Sequence, residues 1–312
     1  MWFKNIQLFQ FNNAIAYQPD RLEKDCEQAQ FTPCSALKPL SAGFVSPITQ
    51  DESGPLVFAS QGFMLLCIKI QEKLLPPSVL REQLKLKIKE MEGQLGQRVS
   101  KGERQRIKEE LEYTLLGKAF DRSSLVYLYI NTHTQHLIID TNGSKKLQLV
   151  HKVLQPILAE HGPEPIETQS ISHILTQWVR NKNYPGTFSL LNRCTMQDSR
   201  SPKAKISLTH INLLDEFYEP LLDDSNQITQ LKINWDEKIN FTLKQDFSIS
   251  QVNFLDNIKD LAKDGMNETD EDRFAADFFV MSETISKFLA DLLPLFEATE
   301  EIEETQGEAV AA

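Results

Sequence analysis

The sequence predicts an α+β fold in which antiparallel sheets pack against helices. Strand-like and helix-like segments alternate along the chain without a glycine-rich phosphate turn between them. Several neighbouring strands are separated by turns too short for a parallel crossover, which favours antiparallel pairing. A pair of helical segments inserted between strands forms the third observation. The expected domains are a central α+β domain over 1–75 and 119–165, a basic helical hairpin over 76–118, a second α+β domain over 166–296, and an acidic disordered tail over 297–312.

The first elements follow from hydrophobic spacing and from residues that break it. Residues 2–9 alternate as a strand does, and residues 19–30 have the pattern of a short helix that ends at Phe31–Cys34. Residues 56–70 are rich in apolar and β-type side chains, with Gln61 and Gly62 as the expected turn. We therefore predict a strand pair there.

The inserted hairpin is predicted from proline, capping residues and apolar periodicity. Pro76–Pro77 ends the sheet, and Ser78 is expected to cap a helix whose apolar residues recur at three- and four-residue steps. Ser100 and Glu103 have the form of a capping box, which predicts the start of a second helix. Gly117 is the expected C-terminal cap of that helix.

The rest of the chain repeats the mixture of strands and helices. Two strands over 124–130 and 136–141 form a predicted β-hairpin, and Ser144 is expected to cap a helix that runs to about Glu160. The second half is expected to contain a helix near 171–180, strands over 187–195 and 203–208, a helix near 210–222, strands over 227–235, 238–244 and 247–254, and a last helix over 271–296.

Charge is distributed unevenly along this 312-residue chain, whose net charge is −11. Residues 69–205 carry a net charge of +8, whereas residues 206–312 carry −17. A phosphate backbone responds to nearby charge, because salt screens distant charge within about 10 Å. The asymmetry is compatible with a polyanionic partner, and equally with an acidic C-terminal part that solvates the protein. No apolar run is long enough for a transmembrane helix, and we expect neither a secretion signal nor a membrane partner.

The sequence contains no motif on which a catalytic residue could be placed. GxGxxG, GxxxxGK[ST], HExxH and GxSxG are absent. The acidic residues between Asp264 and Asp277 favour the positive end of a helix dipole, with a metal site as the alternative. The cysteines lack CxxC spacing, which is typical of reduced thiols in the cytoplasm. We therefore assign no catalytic or metal-binding residue and expect no cofactor. Because catalytic residues can converge from distant segments, the missing motifs alone do not decide whether the protein is an enzyme.

Basic residues on the hairpin are the main candidates for binding. Arg81, Lys85 and Lys89 are spaced by four residues and share one helix face, while Arg104 and Lys108 stack on the second helix. Such cations suit phosphate oxygens better than base edges. Interleaved glutamates leave open that the hairpin is an ordinary solvated surface.

Phe120 follows the hairpin between two cations, in the segment Lys118–Arg122. It could be a core residue, a self-association contact or a group that stacks on a base. The residues alone leave these three interpretations open.

Several short segments, in this order and at matching spacing, resemble the RdgC family of bacterial recombination-associated proteins. The segments are 2–5 (WFKN), 31–34 (FTPC), 72–76 (EKLLP), the basic hairpin, 115–120 (LLGKAF), 177–180 (QWVR) and 273–278 (RFAADF). The resemblance spans residues 1 to about 297. It implies a homodimer closed into a ring, which binds double- and single-stranded DNA with little sequence preference. It further implies association with the nucleoid and restraint of the RecA recombinase by occupation of DNA, without enzymatic activity.

Carried over by position, the resemblance makes the hairpin and Phe120 candidate dimer contacts. Together with Lys108 from the helix pattern, the candidate DNA-binding residues are Arg98, Lys101, Arg104, Lys108, Lys118 and Arg122. This chain departs from the family pattern at Gln97, Ser100 and Ile206. The competing hypothesis is a protein-interaction scaffold whose acidic C-terminal third binds a basic partner without direct DNA binding.

Overall fold

The computed structural model describes residues 1–12, 18–158, 162–221, 225–264 and 269–297. These residues form an α+β fold with extensive antiparallel pairing and seven α-helices, which confirms the predicted fold class. The chain divides into two compact units, the first comprising residues 9–164 and the second comprising residues 1–8 together with the chain from 165 onward. Apart from residue 297, the predicted disordered tail over 297–312 lies outside the described residues. No helix among the described residues has the length and apolar content needed to cross a membrane.

The first unit contains a sheet, two packed helices and the helical hairpin. Its elements are β1 (Asn5–Phe11, which begins in the second unit), α1 (Pro19–Glu27), β2 (Leu40–Val45), β3 (Val57–Ser60), β4 (Phe63–Leu74), α2 (Pro77–Leu95), α3 (Lys101–Lys118), β5 (Phe120–Asn131), β6 (His136–Ile139), α4 (Ser144–Leu158) and β7 (Pro163–Pro165). Within this unit the strand order is β2-β4-β5-β6-β1, with β3 also paired to β4. The predicted strand pair around Gln61–Gly62 is confirmed by the pairing of β3 with β4.

One face of this sheet forms the core of the first unit. Alternate β4 residues from Met64 to Ile70 pack with α1 and with one side of α4, where Val150, Leu154 and Leu158 are buried at four-residue steps. This spacing places one helix stripe on the sheet. Burial of each such side chain stabilises the unit by about 1.5–3 kcal/mol.

The hairpin emerges from the end of a long ladder between β4 and β5. Twelve residue pairs join the two strands, and Leu74 opposite Phe120 is the last of them. The capping box of Ser100 and Glu103 is confirmed. The expected roles of Ser78 and Gly117 were wrong: α2 begins after Pro76, which supplies no side-chain cap, and α3 continues through Gly117 to Lys118, with Ala119 as its C-terminal cap. Proline fits the first helical turn, because that turn needs no backbone N–H donor.

The second unit is a sheet covered on one face by helices. Its further elements are α5 (Ile171–Asn181), β8 (Phe188–Asp198), β9 (Ser201–Thr209), β10 (Asn226–Trp235), β11 (Ile239–Lys244), β12 (Ile249–Phe254), α6 (Asp256–Asp264) and α7 (Asp270–Leu292). Its strand order is β1-β12-β11-β10-β8-β9, all joined by antiparallel pairs. Phe288 on α7 packs edge-on against Trp235 and Phe241, which fixes this helix to one face of the sheet.

Two parts of the second half differ from the prediction. The helix expected near 210–222 is a turn followed by a short 3₁₀ helix, Glu216–Leu221. Asn212 and Asp215 accept hydrogen bonds from backbone N–H groups two residues ahead, and these turn contacts compete with a regular helix. Strand β2 and helix α6 were missed, because both are short and their apolar patterns are brief.

Candidate nucleic-acid interface

Neither helix of the hairpin contains a buried residue. The apolar residues that face between α2 and α3 are half-buried, and Leu86, Leu95 and Tyr113 are more than half exposed. The hairpin is therefore a pair of helices stabilised mainly by each other. Such a segment presents its charged side chains to solvent along its whole length.

Four of the six candidate DNA-binding residues lie together at the tip of the hairpin: Arg98, Lys101, Arg104 and Lys108, here called the tip cluster. Arg98 is in the loop, and the three others recur at three- and four-residue steps on α3, so that they share a face. None of the four has an ion-pair partner among the residues that the structure describes. The tip cluster is therefore available to an external anion.

The capping box explains why the nearest carboxylate does not neutralise the tip cluster. Glu103 accepts a hydrogen bond from the backbone N–H of Ser100 at 3.1 Å, and the Ser100 hydroxyl accepts one from the Glu103 N–H at 3.2 Å. Hydrogen bonds from Ser100 lower the pKa of the Glu103 carboxyl below its usual value. The bond from the Ser100 backbone has the largest effect, and the bond from its side chain comes next. Glu92 likewise accepts a hydrogen bond from the buried Val99 N–H, at 3.1 Å.

The other two candidates, Lys118 and Arg122, are at the opposite end of the hairpin. Lys118 ends α3, about 25 Å from Lys101 at 1.5 Å per residue. Arg122, on β5, is directly opposite Glu72 on β4 and is ion-paired with its carboxylate. The structure therefore separates the six residues into two groups and leaves Arg122 partly neutralised.

Beside Arg122 the first unit has a cavity of about 850 Å³ that sequence analysis did not anticipate. Leu40, Ile70 and Leu149 supply apolar surface, and three α4 lysines line it with Arg122. The lysines are Lys145, Lys146 and Lys152. The sequence indicates this group of lysines only through the amphipathic pattern of α4, in which the lysines lie on the polar side of the helix and the apolar residues on the buried side.

Phe120 is 86% exposed, so the interpretation of this residue as part of the core was wrong. It is opposite Leu74, which is 42% exposed, and strand alternation places both on the same sheet face as Arg122. The cavity opens on that face, since Ile70 and Glu72 belong to it by the same alternation. An exposed aromatic ring therefore lies on the same side of the first unit as an apolar cavity.

A second cationic surface is formed by the sheet of the second unit, on the face opposite α7. Cross-strand pairs and strand alternation place a group of polar side chains on this face. We define the polar face by eight of them: Arg193, Thr195, Lys205, Ser207, Gln230, Lys232, Thr242 and Lys244. Arg193 Nη1 and Thr242 Oγ1 each lie within 3.4 Å of Gln251 Oε1, which links β8, β11 and β12 across this side.

Charge is segregated between the two sides of the second unit. The polar face has four cations and no carboxylate, and none of these cations has an ion-pair partner in the described part of the chain. Nine acidic residues instead lie on α6 and α7, where Lys259, Lys263 and Lys287 each pair with one of them. The polar face was not predicted from the sequence, because its cations are far apart in the chain and two of them, Lys232 and Lys244, lie in the segment whose net charge is negative.

The acidic cluster near the start of α7 has a structural role. Thr269 caps the helix by accepting a hydrogen bond from the Asp272 N–H at 3.1 Å, and Asp270, Glu271 and Asp272 occupy the first turn. This agrees with the helix-dipole interpretation. Glu268 and the side chain of Asp264 lie outside the described residues. Within the described ranges, no group of three His, Cys, Asp or Glu side chains could hold a metal ion together.

The four cysteines are free thiols, three of them buried. Burial raises the pKa of the Cys67 and Cys194 thiols to about 12, so both are protonated at neutral pH. They act as small apolar residues in the cores of their units.

The chain is similar to a known protein family along nearly its whole length. A family model described as "Putative exonuclease, RdgC" matches residues 1–299. The chain is 32% identical over 294 residues to "Recombination-associated protein RdgC" of Tolumonas auensis, covering 94% of this chain and 97% of that protein. It is 26% identical, with the same coverage, to the protein of that name from Yersinia pestis strain Pestoides F. With a match of this extent, the chain belongs to the RdgC family of recombination-associated proteins.

Proposed function

We propose that this protein binds DNA without catalysis and with little sequence preference, encircles it as a dimeric ring, and restrains RecA-dependent recombination in the nucleoid. The observation that carries the proposal is the polar face, which presents four cations among neutral polar side chains, none of them ion-paired with another described residue. The relatives from Tolumonas auensis and Yersinia pestis are named as recombination-associated proteins, and recombination acts on DNA.

The chemistry of both cationic surfaces favours contact with the phosphate backbone. Lysine ammonium and arginine guanidinium groups bind phosphate oxygens and release condensed counterions, which gives affinity without reading the bases. The tip cluster and the polar face combine such cations with hydroxyl and amide groups that also donate to phosphates. Arg122 contributes less, because Glu72 already pairs with it.

Self-association is supported by the exposed apolar surface of the first unit. In a two-fold symmetric dimer each copy uses the same surface, so that a projecting residue of one copy meets a recess of the other. Phe120 is such a projection, and the 850 Å³ cavity with its apolar lining is such a recess. We propose that Phe120 enters this cavity of a second copy and closes the ring.

The family description includes the word exonuclease, which makes nuclease activity the competing enzyme hypothesis. A metal-dependent nuclease requires carboxylates that converge on one or two cations. The acidic residues at Asp270–Asp272 follow one another in a helix turn that they stabilise. Incubation of the purified protein with DNA and Mg²⁺ or Mn²⁺ tests this hypothesis, and cleavage that persists through purification would contradict a non-catalytic role.

The DNA-binding proposal is tested by the dependence of affinity on salt. For a protein that neutralises Z phosphates of duplex DNA, log K falls with log salt at a slope of about −0.9Z. Two triple variants remove cations from one surface each: R98Q/K101Q/R104Q at the tip cluster and R193Q/K205Q/K244Q on the polar face. Each should bind unrelated duplexes more weakly, with a slope shallower by about 0.9 for each phosphate that the variant no longer neutralises.

The triple variant K259Q/K263Q/K287Q is the matched control. It changes the net charge by the same amount, but its lysines already pair with acids on the helix side of the second unit. Its affinity and slope should stay near those of the native protein. Equal losses in all three variants, a flat salt response or strong preference for one sequence would contradict the proposal. Retained function without DNA binding would favour the acidic scaffold.

A further inference from the structure

A second cavity, of about 740 Å³, lies in the second unit where β8, β10 and β11 meet the loop over 210–214. Its volume is in the range of small-molecule sites. Five leucine and isoleucine residues contribute to its lining, among them the half-buried Leu191 and Leu214. The remaining lining residues are polar and include no carboxylate: Asn192, His210, Asn212, Lys232 and Asn240.

Most of these polar groups lack partners within the protein. The side chains of Asn192, His210 and Lys232 make no hydrogen bond or ion pair within the described ranges. Asn240 Oδ1 accepts a hydrogen bond from Asn234 Nδ2 at 2.7 Å, which leaves the amide nitrogen of Asn240 free to donate. The cavity therefore combines an apolar lining with unused amide, imidazole and ammonium groups.

The loop over 210–214 is held in place independently of these groups. Asn212 Oδ1 accepts a hydrogen bond from the Leu214 N–H at 3.1 Å, and the Asp215 N–H donates to the Asn212 carbonyl at 3.2 Å. His210 occupies the left-handed region, with φ of 59°, and is exposed. The wall of the cavity is thus formed by contacts within the loop.

This combination matches the surface of a nucleotide. Side-chain amides of asparagine pair with the hydrogen-bonding edges of bases, and the flat faces of a base pack against apolar side chains or an imidazole. Lys232 lies in the same cavity and is also part of the polar face, which is suited to the adjoining phosphate. A carboxylate would repel that phosphate, and none lines the cavity.

We propose that this cavity receives one unstacked base of single-stranded DNA while the phosphates on either side of it lie on the polar face. A base inside a duplex cannot enter, because its edges are paired and its faces are stacked. This inference rests on the proposed DNA-binding function and deepens it. The cavity would make the protein distinguish a single strand from a duplex without reading sequence strongly.

The test compares the affinity of the full chain for a 20-nucleotide dT strand, an abasic strand of the same length, and a duplex, measured by fluorescence anisotropy. N192W fills the exposed mouth of the cavity, and N192A removes the amide with little risk to folding. Loss of one stacked base should weaken binding of the dT strand by about tenfold in N192W. Duplex and abasic-strand affinities should not change, and N192A should show a smaller loss of the same kind.

N181W is the matched control, since Asn181 is an exposed asparagine at the end of α5 that does not line the cavity. It should bind all three DNAs as the native protein does. Equal affinity of the native protein for the dT and abasic strands, or equal losses for strand and duplex in both Asn192 variants, would overturn the inference. Binding of dTMP more tightly than the dT strand would also overturn it, because the cavity would then be a free-nucleotide site. Failure of the native protein to bind any DNA would instead remove the proposed function itself.

Discussion

At the scale of single residues, solvent exposure distinguishes side chains that residue type and position in the sequence do not distinguish. Phe120 and Phe63 are both aromatic residues of the β4–β5 ladder, yet Phe120 is 86% exposed and Phe63 is 1% exposed. An exposed ring contributes little to folding and is available to a partner. The same distinction applies to Arg122, which pairs with Glu72, and to the tip cluster, which has no such partner among the described residues.

Replacing Phe120 with alanine should weaken self-association and leave folding stability nearly unchanged. Because the ring is solvent-exposed in a single chain, the free energy of unfolding should change by less than about 0.5 kcal/mol. Sedimentation and thermal unfolding measure the two effects on the same samples.

F217A is the matched control for a generic effect of surface aromatics, since Phe217 is 78% exposed and lies in the second unit. It should associate as the native protein does. F63A should instead lose about 3–5 kcal/mol of stability, as buried phenylalanines do. A destabilisation of that size in F120A, or unchanged association, would contradict the proposed contact.

At the scale of elements, the hairpin and the sheets differ in how they are stabilised. The sheets bury apolar faces under α1, α4 and α7, whereas α2 and α3 bury no residue. Segments with few buried contacts open at low free-energy cost. Local contacts such as the capping box therefore matter more for α3 than for a helix held by a core.

Acidification should loosen the first turn of α3. The carboxyl of Glu103 has a pKa below its ordinary value of 4.5 because the Ser100 backbone and hydroxyl bond to it. A lowered carboxyl pKa stabilises the folded state above the ordinary pKa, and this contribution disappears as the pH falls through the lowered value. Protection of the backbone amides near Ser100, measured by hydrogen exchange and corrected for the intrinsic rate, should decrease below pH about 4.5.

The variant E103Q separates charge from capping, because glutamine retains the hydrogen bond of a capping box without titrating. It should remove the pH dependence and keep much of the protection at neutral pH. S100A should reduce protection at every pH, by about 1 kcal/mol. An identical pH profile in the native protein and E103Q would show that another group is responsible.

At the scale of the whole molecule, a net charge of −11 coexists with two surfaces whose cations have no ion-pair partner among the described residues. In the second unit the acids of α6 and α7 lie on the side of the sheet opposite the cations of the polar face, and salt screens interactions between charges more than about 10 Å apart. A negative total charge is therefore compatible with attraction of DNA to a local surface.

The intact protein should have twice the 35.7 kDa mass of the chain when measured by light scattering at micromolar concentration. The physical reason is the paired exposure of Phe120 and an apolar-lined cavity on each copy, which a closed two-fold contact satisfies. Dilution should shift F120A toward the monomer at higher concentration than the native protein. A monomeric native protein at micromolar concentration would contradict both the dimer and the ring.

The sequence by itself determined the fold class, the hairpin, the Ser100–Glu103 capping box and the family, because each depends on local spacing or on segments in a fixed order. It located the basic tip cluster for the same reason, since Lys101, Arg104 and Lys108 are neighbours on one helix. The tertiary structure alone decided that Phe120 is exposed, that Arg122 pairs with Glu72, and that Arg193, Lys205, Lys232 and Lys244 share one face. These outcomes depend on which strands pair and in which register, and antiparallel pairing joins residues that are far apart in the chain.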